Sequence, residues 1–112
     1  VTVNPYLGVE TLIPFFEYPD RGVFALCRTS NLSADDFQRP GFLTEQMKRF
    51  STAGLVVGTT SPGAVRLVRR CDPDTWMLCP GVGTQGSLDA LRHGLREVRE
   101  MEADGKFWNT HT

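Results

Sequence analysis

The chain has 112 residues, 40% of them hydrophobic and 22% charged, with 12 basic against 13 acidic side chains. That balance excludes a disordered tail, which needs few apolar residues and a large net charge, and no apolar run approaches the ~20 residues of a membrane span. A net charge of −1 gives no electrostatic reason to expect nucleic acid or a membrane surface as a partner.

A strand-like run occupies residues 1–3. It starts at a valine, so the chain reads as one entered partway through a domain. Asn4-Pro5-Tyr6 follows, and then Val9, Leu12, Ile13 and Phe16 recur at helical spacing until Pro19-Asp20 closes the segment. Residues 22–27, GVFALC, form a second run, with Arg28-Thr29-Ser30-Asn31 directly after it. Residues 38–41 read as an irregular join. Thr44 is then placed as the cap of a short helix carrying Met47 and Phe50.

The third run, residues 54–58, leads into Thr59-Thr60-Ser61. Ser61-Pro62 reads as an N-cap followed by proline at the first helical position. Val65, Val68 and Cys71 make one stripe, which Asp72-Pro73 ends. Residues 76–79 are the fourth run. After PGVGTQGS at 80–87, Leu88, Leu91, Leu95, Val98 and Met101 form the stripe of a last helix. The middle runs are continuously apolar, which predicts burial on both faces. The alternation β-α-β-α-β-α-β-α predicts an α/β fold with a parallel sheet.

The three cysteines, Cys27, Cys71 and Cys79, are widely spaced, and His93 and His111 are the only histidines. No zinc site is expected from such a set, nor any other metal site. Cys27 and Cys79 sit in apolar runs as small hydrophobes, which fits a reducing compartment and predicts a cytoplasmic protein without a signal peptide.

Each apolar run hands over at once to small or polar residues. In α/β barrels and open α/β sheets, ligands lie at the carboxyl ends of the strands. Thr59, Thr60 and Ser61 read as loop and capping residues. The segment 80–87 says more. Its three glycines let backbone N–H groups approach a ligand, and it opens into a helix whose N-terminus favours an anion such as phosphate. It matches neither the P-loop nor the dinucleotide fingerprint.

VTVNPYLG at 1–8, GVFALCRTSN at 22–31, GLVVGTT at 54–60 and PGVGTQG at 80–86 resemble orotidine 5′-phosphate decarboxylase, in the branch with NPY, C-K/R-T-S-N and PG-V/I-GAQGG signatures. The resemblance implies that residues 1–112 are part of a (β/α)8 TIM barrel, covering strands four to seven and lacking the early strands and the last one. It implies decarboxylation of orotidine 5′-phosphate to uridine 5′-monophosphate in pyrimidine biosynthesis, with no metal or organic cofactor. It implies that Thr29, Ser30 and Asn31 hold the pyrimidine, that Asn4 lies beside sugar and base, and that Gly83, Gln85 and Gly86 hold the phosphate. Family members are homodimers, so a homodimer is implied too.

The family's catalytic lysine sits in a D-x-K-x-x-D-I motif. The lysines here are Lys48 and Lys106, neither in that setting, so no catalytic residue is assigned within the chain. Nor does the tail GKFWNTHT carry the family's phosphate-clamping arginine. The alternative expectation is a catalytically inactive barrel fragment that acts only as a phosphate- or nucleotide-binding module.

Overall fold

A computed structural model describes residues 1–81 and the backbone of Asn109–His111. Five strands lie side by side in chain order: β1 (Thr2–Val3), β2 (Val23–Arg28), β3 (Ala53–Val57), β4 (Trp76–Leu78) and β5 (Asn109–His111). Every neighbouring pair is parallel, as the continuously apolar runs predict. Parallel neighbours cannot be joined by a tight hairpin, so each connection must cross over the sheet. β5 went unread in the sequence. Three polar residues carry no apolar run, and only pairing with β4 defines them.

The connections differ in how well they form helices. Between β2 and β3, α1 spans Pro40–Met47, and between β3 and β4, α2 spans Pro62–Cys71. Both place proline at the start, where its missing N–H costs nothing. Thr44 is not the cap of α1. Arg39 holds that position, and Thr44 lies buried inside the helix with its hydroxyl donating to the Pro40 carbonyl at 2.7 Å. Phe50 falls beyond the helix and stacks on Phe16, ring centroids 4.2 Å apart. Ser61 is the N-cap residue of α2, but its side chain makes no capping bond.

The stripe after β1 is not an α-helix. Pro5–Leu7 and Val9–Glu17 are 3-10 helices, the second with Pro14 inside it. Proline lacks the donor for an i→i−4 bond and its ring crowds the preceding turn, so the tighter, locally bonded form takes over. Leu12 alone of that segment is fully buried. The helix expected after Leu88 lies outside the described residues.

The core fills the layer between sheet and helices. Ala25, Cys27, Leu55, Val57 and Met77 from the strands, and Cys79 just past β4, pack with Met47 of α1 and Val65 and Val68 of α2. β3 is buried on both faces, whereas β2 alternates buried Val23, Ala25 and Cys27 with half-buried Phe24, Leu26 and Arg28. On that second face Phe24 stands opposite Gly54. A Cβ at Gly54 would come within 2.6 Å of the Phe24 ring and 3.1 Å of the Trp76 carbonyl. Glycine fits there because the aromatic ring occupies the space that a side chain would need.

Candidate ligand site at the carboxyl ends of the strands

Three strand ends are tied together by hydrogen bonds. Where β2 ends, the Arg28 carbonyl accepts from Gly58 N–H at 2.8 Å. Just beyond β3, Thr59 donates both its N–H, at 3.3 Å, and its hydroxyl, at 3.2 Å, to the Pro80 carbonyl that follows β4. Thr59 is fully buried, so its hydroxyl serves this link, as its reading as a loop residue implied. Gly81 comes next with a φ of +94°, a left-handed conformation that favours glycine. The segment carrying RTSN and the start of the glycine loop therefore leave the same end of the sheet.

The loop after β2 is bonded to itself. Asn31 and Ser33 carbonyls accept from Ala34 and Asp36 N–H groups around the 3-10 turn Ala34–Asp36. Arg39 donates to the carbonyls of Asp35 and Gln38 at 3.0 and 2.9 Å. Arg28 reaches across the loop to pair with Asp35, and the guanidinium beside that carboxyl holds it below the usual carboxylate range. At the centre, Gln38 grips Thr29 twice. Thr29 N–H donates to Gln38 Oε1 at 2.9 Å, and Gln38 Nε2 donates to Thr29 Oγ1 at 2.6 Å. The Thr29 hydroxyl in turn donates to Asn31 Oδ1.

Thr29 and Asn31, two of the expected base-holding residues, are thus joined directly, with Ser30 exposed between them. Asn4 is less well placed. Val3 stands opposite Ala25, so β1 leaves the sheet well before Thr29 does. The Asn4 side-chain oxygen caps the following turn by accepting from Tyr6 N–H at 3.0 Å. Gly83, Gln85 and Gly86 lie outside the described residues. Sequence reasoning missed Asp35, Gln38 and Arg39. They sit in what read as an irregular join and loop, and no periodic pattern links position 38 to position 29.

A separate concavity opens at the opposite, entry end of the strands, lined by Arg21, Phe24, Thr52, Gly54 and Trp76 among others. It carries none of the expected ligand residues. Among the described residues, no three His, Cys, Asp or Glu side chains gather to hold a metal ion. No helix among them is long and apolar enough to cross a membrane.

Parallel strands, with α1 and α2 crossing between β2, β3 and β4 and polar loops gathered at the carboxyl ends, are the arrangement of an α/β barrel segment, and the solved structures below make it one of the (β/α)8 class. No family model matches the chain. It is 43% identical to the orotidine 5′-phosphate decarboxylase of Roseiflexus sp., over 89% of this chain and 42% of that protein. It is 38% identical to the one from Halorubrum lacusprofundi, over 93% of this chain and 43% of the relative. Among solved structures it superposes on Leishmania donovani OMP decarboxylase with a TM-score of 0.71 and 37% identity, covering 99% of this chain and 46% of that one. The corresponding figures for L. donovani UMP synthase are 0.75 and 38%, with 99% and 27% covered. The chain is homologous to the orotidine 5′-phosphate decarboxylases and spans about two-fifths of the length of the curated relatives it matches.

Proposed function

We propose that the protein carrying this chain decarboxylates orotidine 5′-phosphate to uridine 5′-monophosphate, and that this chain supplies the loops that hold base and phosphate. The observation that carries the reading is the bonded cluster of Thr29, Asn31 and Gln38 at the carboxyl end of β2, tied through Gly58 and Thr59 to the start of the glycine loop. Hydroxyl and amide groups suit a pyrimidine edge, which presents both donors and acceptors. Asn4 contributes near the sugar, and Gly83, Gln85 and Gly86 take the phosphate. Loss of CO₂ builds carbanion charge on the ring, which fixed charges stabilise. Binding energy from the remote phosphate holds the base against the reacting group. In this reading the reaction needs no metal or organic cofactor, and the catalytic lysine is not one of this chain's residues.

Gln85→Ala should weaken binding of uridine 5′-monophosphate by about 1–3 kcal/mol, the usual cost of losing a hydrogen bond to a charged group, and leave uridine unaffected. Ser30→Ala should weaken both, because both carry the base. Equal damage to the two ligands by Gln85→Ala would remove that residue from the phosphate site. A direct assay of CO₂ release from orotidine 5′-phosphate by the native protein decides between turnover and a module that only binds nucleotide.

A homodimer and a cytoplasmic location complete the proposal. Tyr6 and Phe37, 70% and 74% exposed, meet edge to face at 5.7 Å on the loops after β1 and β2. Leu7 and Leu32 are exposed on the same loops, and exposed apolar groups of this kind mark interaction surfaces. Phe37→Asp should shift the native protein toward monomer in sedimentation. The thiols of Cys27, Cys71 and Cys79 are all free, in keeping with a reducing compartment.

A further inference from the structure

The hydrogen bonds around Thr29 run from Gln38 through the Thr29 hydroxyl to Asn31. A backbone N–H donates and cannot accept, so the atom of Gln38 that meets Thr29 N–H at 2.9 Å must be Oε1. That turns the Gln38 amide nitrogen onto Thr29 Oγ1 at 2.6 Å. An amide nitrogen only donates, so the hydroxyl accepts there and keeps its own proton to give away. In the structure that proton goes to Asn31, which turns Oδ1 toward the hydroxyl. Asn31 is exposed and, with its oxygen engaged, presents Nδ2 as a donor that makes no hydrogen bond to the described residues.

We infer that Gln38, acting through the Thr29 hydroxyl, sets Asn31 as a hydrogen-bond donor toward the pyrimidine and thereby selects a 4-oxo ring over a 4-amino ring. The inference rests on the reading that the base lies at Thr29, Ser30 and Asn31. A uracil-type ring offers a carbonyl acceptor at position 4, where cytosine offers an amino donor. A fixed donor on the protein bonds the first and opposes the second. Gln38 is a positioning residue in this scheme, since it reaches the ligand only through two other side chains. The anchor is the backbone N–H of Thr29, which no side-chain rearrangement can reverse.

The test is a titration of uridine and cytidine 5′-monophosphates into the native protein and into Gln38→Glu. A carboxylate keeps the bond from Thr29 N–H but can only accept. The Thr29 hydroxyl must then donate to it, which leaves a lone pair facing Asn31. The Asn31 amide turns its nitrogen inward and presents oxygen to the ligand. The native protein should favour the uridine nucleotide, and Gln38→Glu should lower that preference by about tenfold or more, the worth of one reversed hydrogen bond, with cytidine nucleotide affinity held or raised. Gln38→Met, which removes the relay without adding charge, should give an intermediate ratio. Equal weakening of both nucleotides in these variants, or an unchanged ratio, would overturn the inference and leave Gln38 as a loop brace. A native protein that binds neither nucleotide would instead remove the base site itself, and the selection with it.

Discussion

At the entry end of the strands, Phe24 lies over Gly54 with Trp76 on the next strand, and the buried Arg69 of α2 donates to the Pro73 and Thr75 carbonyls, each at 2.8 Å. At the exit end, the contacts are hydrogen bonds among Arg28, Thr29, Asn31, Asp35, Gln38 and Arg39 on a largely exposed loop. One end is held by bulk and by a buried cation locking a turn. The other spends its polar groups on fixing the direction of a few side chains. In α/β barrels the first arrangement carries stability and the second carries ligand chemistry. The contrast predicts that changes at one end move stability without moving ligand selectivity, and the reverse at the other.

The largest effect should come from Arg69→Ala. Burial pushes the Arg69 guanidinium down to about 10, with Asp72 opposing the shift, so it is charged at neutral pH. Its removal leaves the Pro73 and Thr75 carbonyls without this donor and a cavity where the buried side chain lay, and should cost about 3–5 kcal/mol in denaturant unfolding. The ratio of uridine to cytidine nucleotide binding should not change in the molecules that stay folded. A changed ratio would break the division between the two ends.

Alkali probes the apolar layer beneath the polar loop. Burial pushes the Cys27 thiol up to about 12 and the Cys79 thiol up to about 11, from 9.0. Between pH 9 and those values the unfolded chain loses protons that the folded chain keeps, so stability must fall as pH rises. The slope should be about 1.4 kcal/mol per pH unit for each thiol. Cys27→Ala should flatten the unfolding profile above pH 9 relative to the native protein. An identical slope would show that the thiol ionises without the layer opening.

Gly54→Val should cost about 1–3 kcal/mol, because the new side chain displaces the Phe24 ring, and a thermal melt would read it. A smaller loss would mean that the ring can swing into the concavity beside it. Asp35→Asn should have the least effect on stability. The carboxylate is exposed and its pair with Arg28 is open to screening, so the midpoint of unfolding should hardly move and the difference should vanish at high salt.

The apolar runs around Ala25, Leu55 and Met77 were legible because strands covered by helices draw on apolar residues, although β3 alone of the three is buried on both faces. The pairs Ser61-Pro62 and Asp72-Pro73 bounded α2 for a similar reason, since proline's geometry is local. The same locality misled between β1 and β2, where the spacing of Leu12, Ile13 and Phe16 is helical but Pro14 withholds the donor. The loop residues Thr29, Ser30 and Asn31 could be named as candidates from their place after a buried run and from the resemblance. Neither could show what holds them.

The sequence by itself determined the parallel α/β class, the strands β1 to β4, and the end of the sheet at which polar loops gather, because periodicity and proline placement are properties of neighbouring residues. Only the tertiary structure decided that β5 joins the sheet, that Phe24 fills the space above Gly54, and that Gln38 meets Thr29 and Thr29 meets Asn31. Those depend on atoms brought together across the chain. The polarity of a hydrogen bond follows from which donor faces which acceptor, and no spacing in the sequence records it.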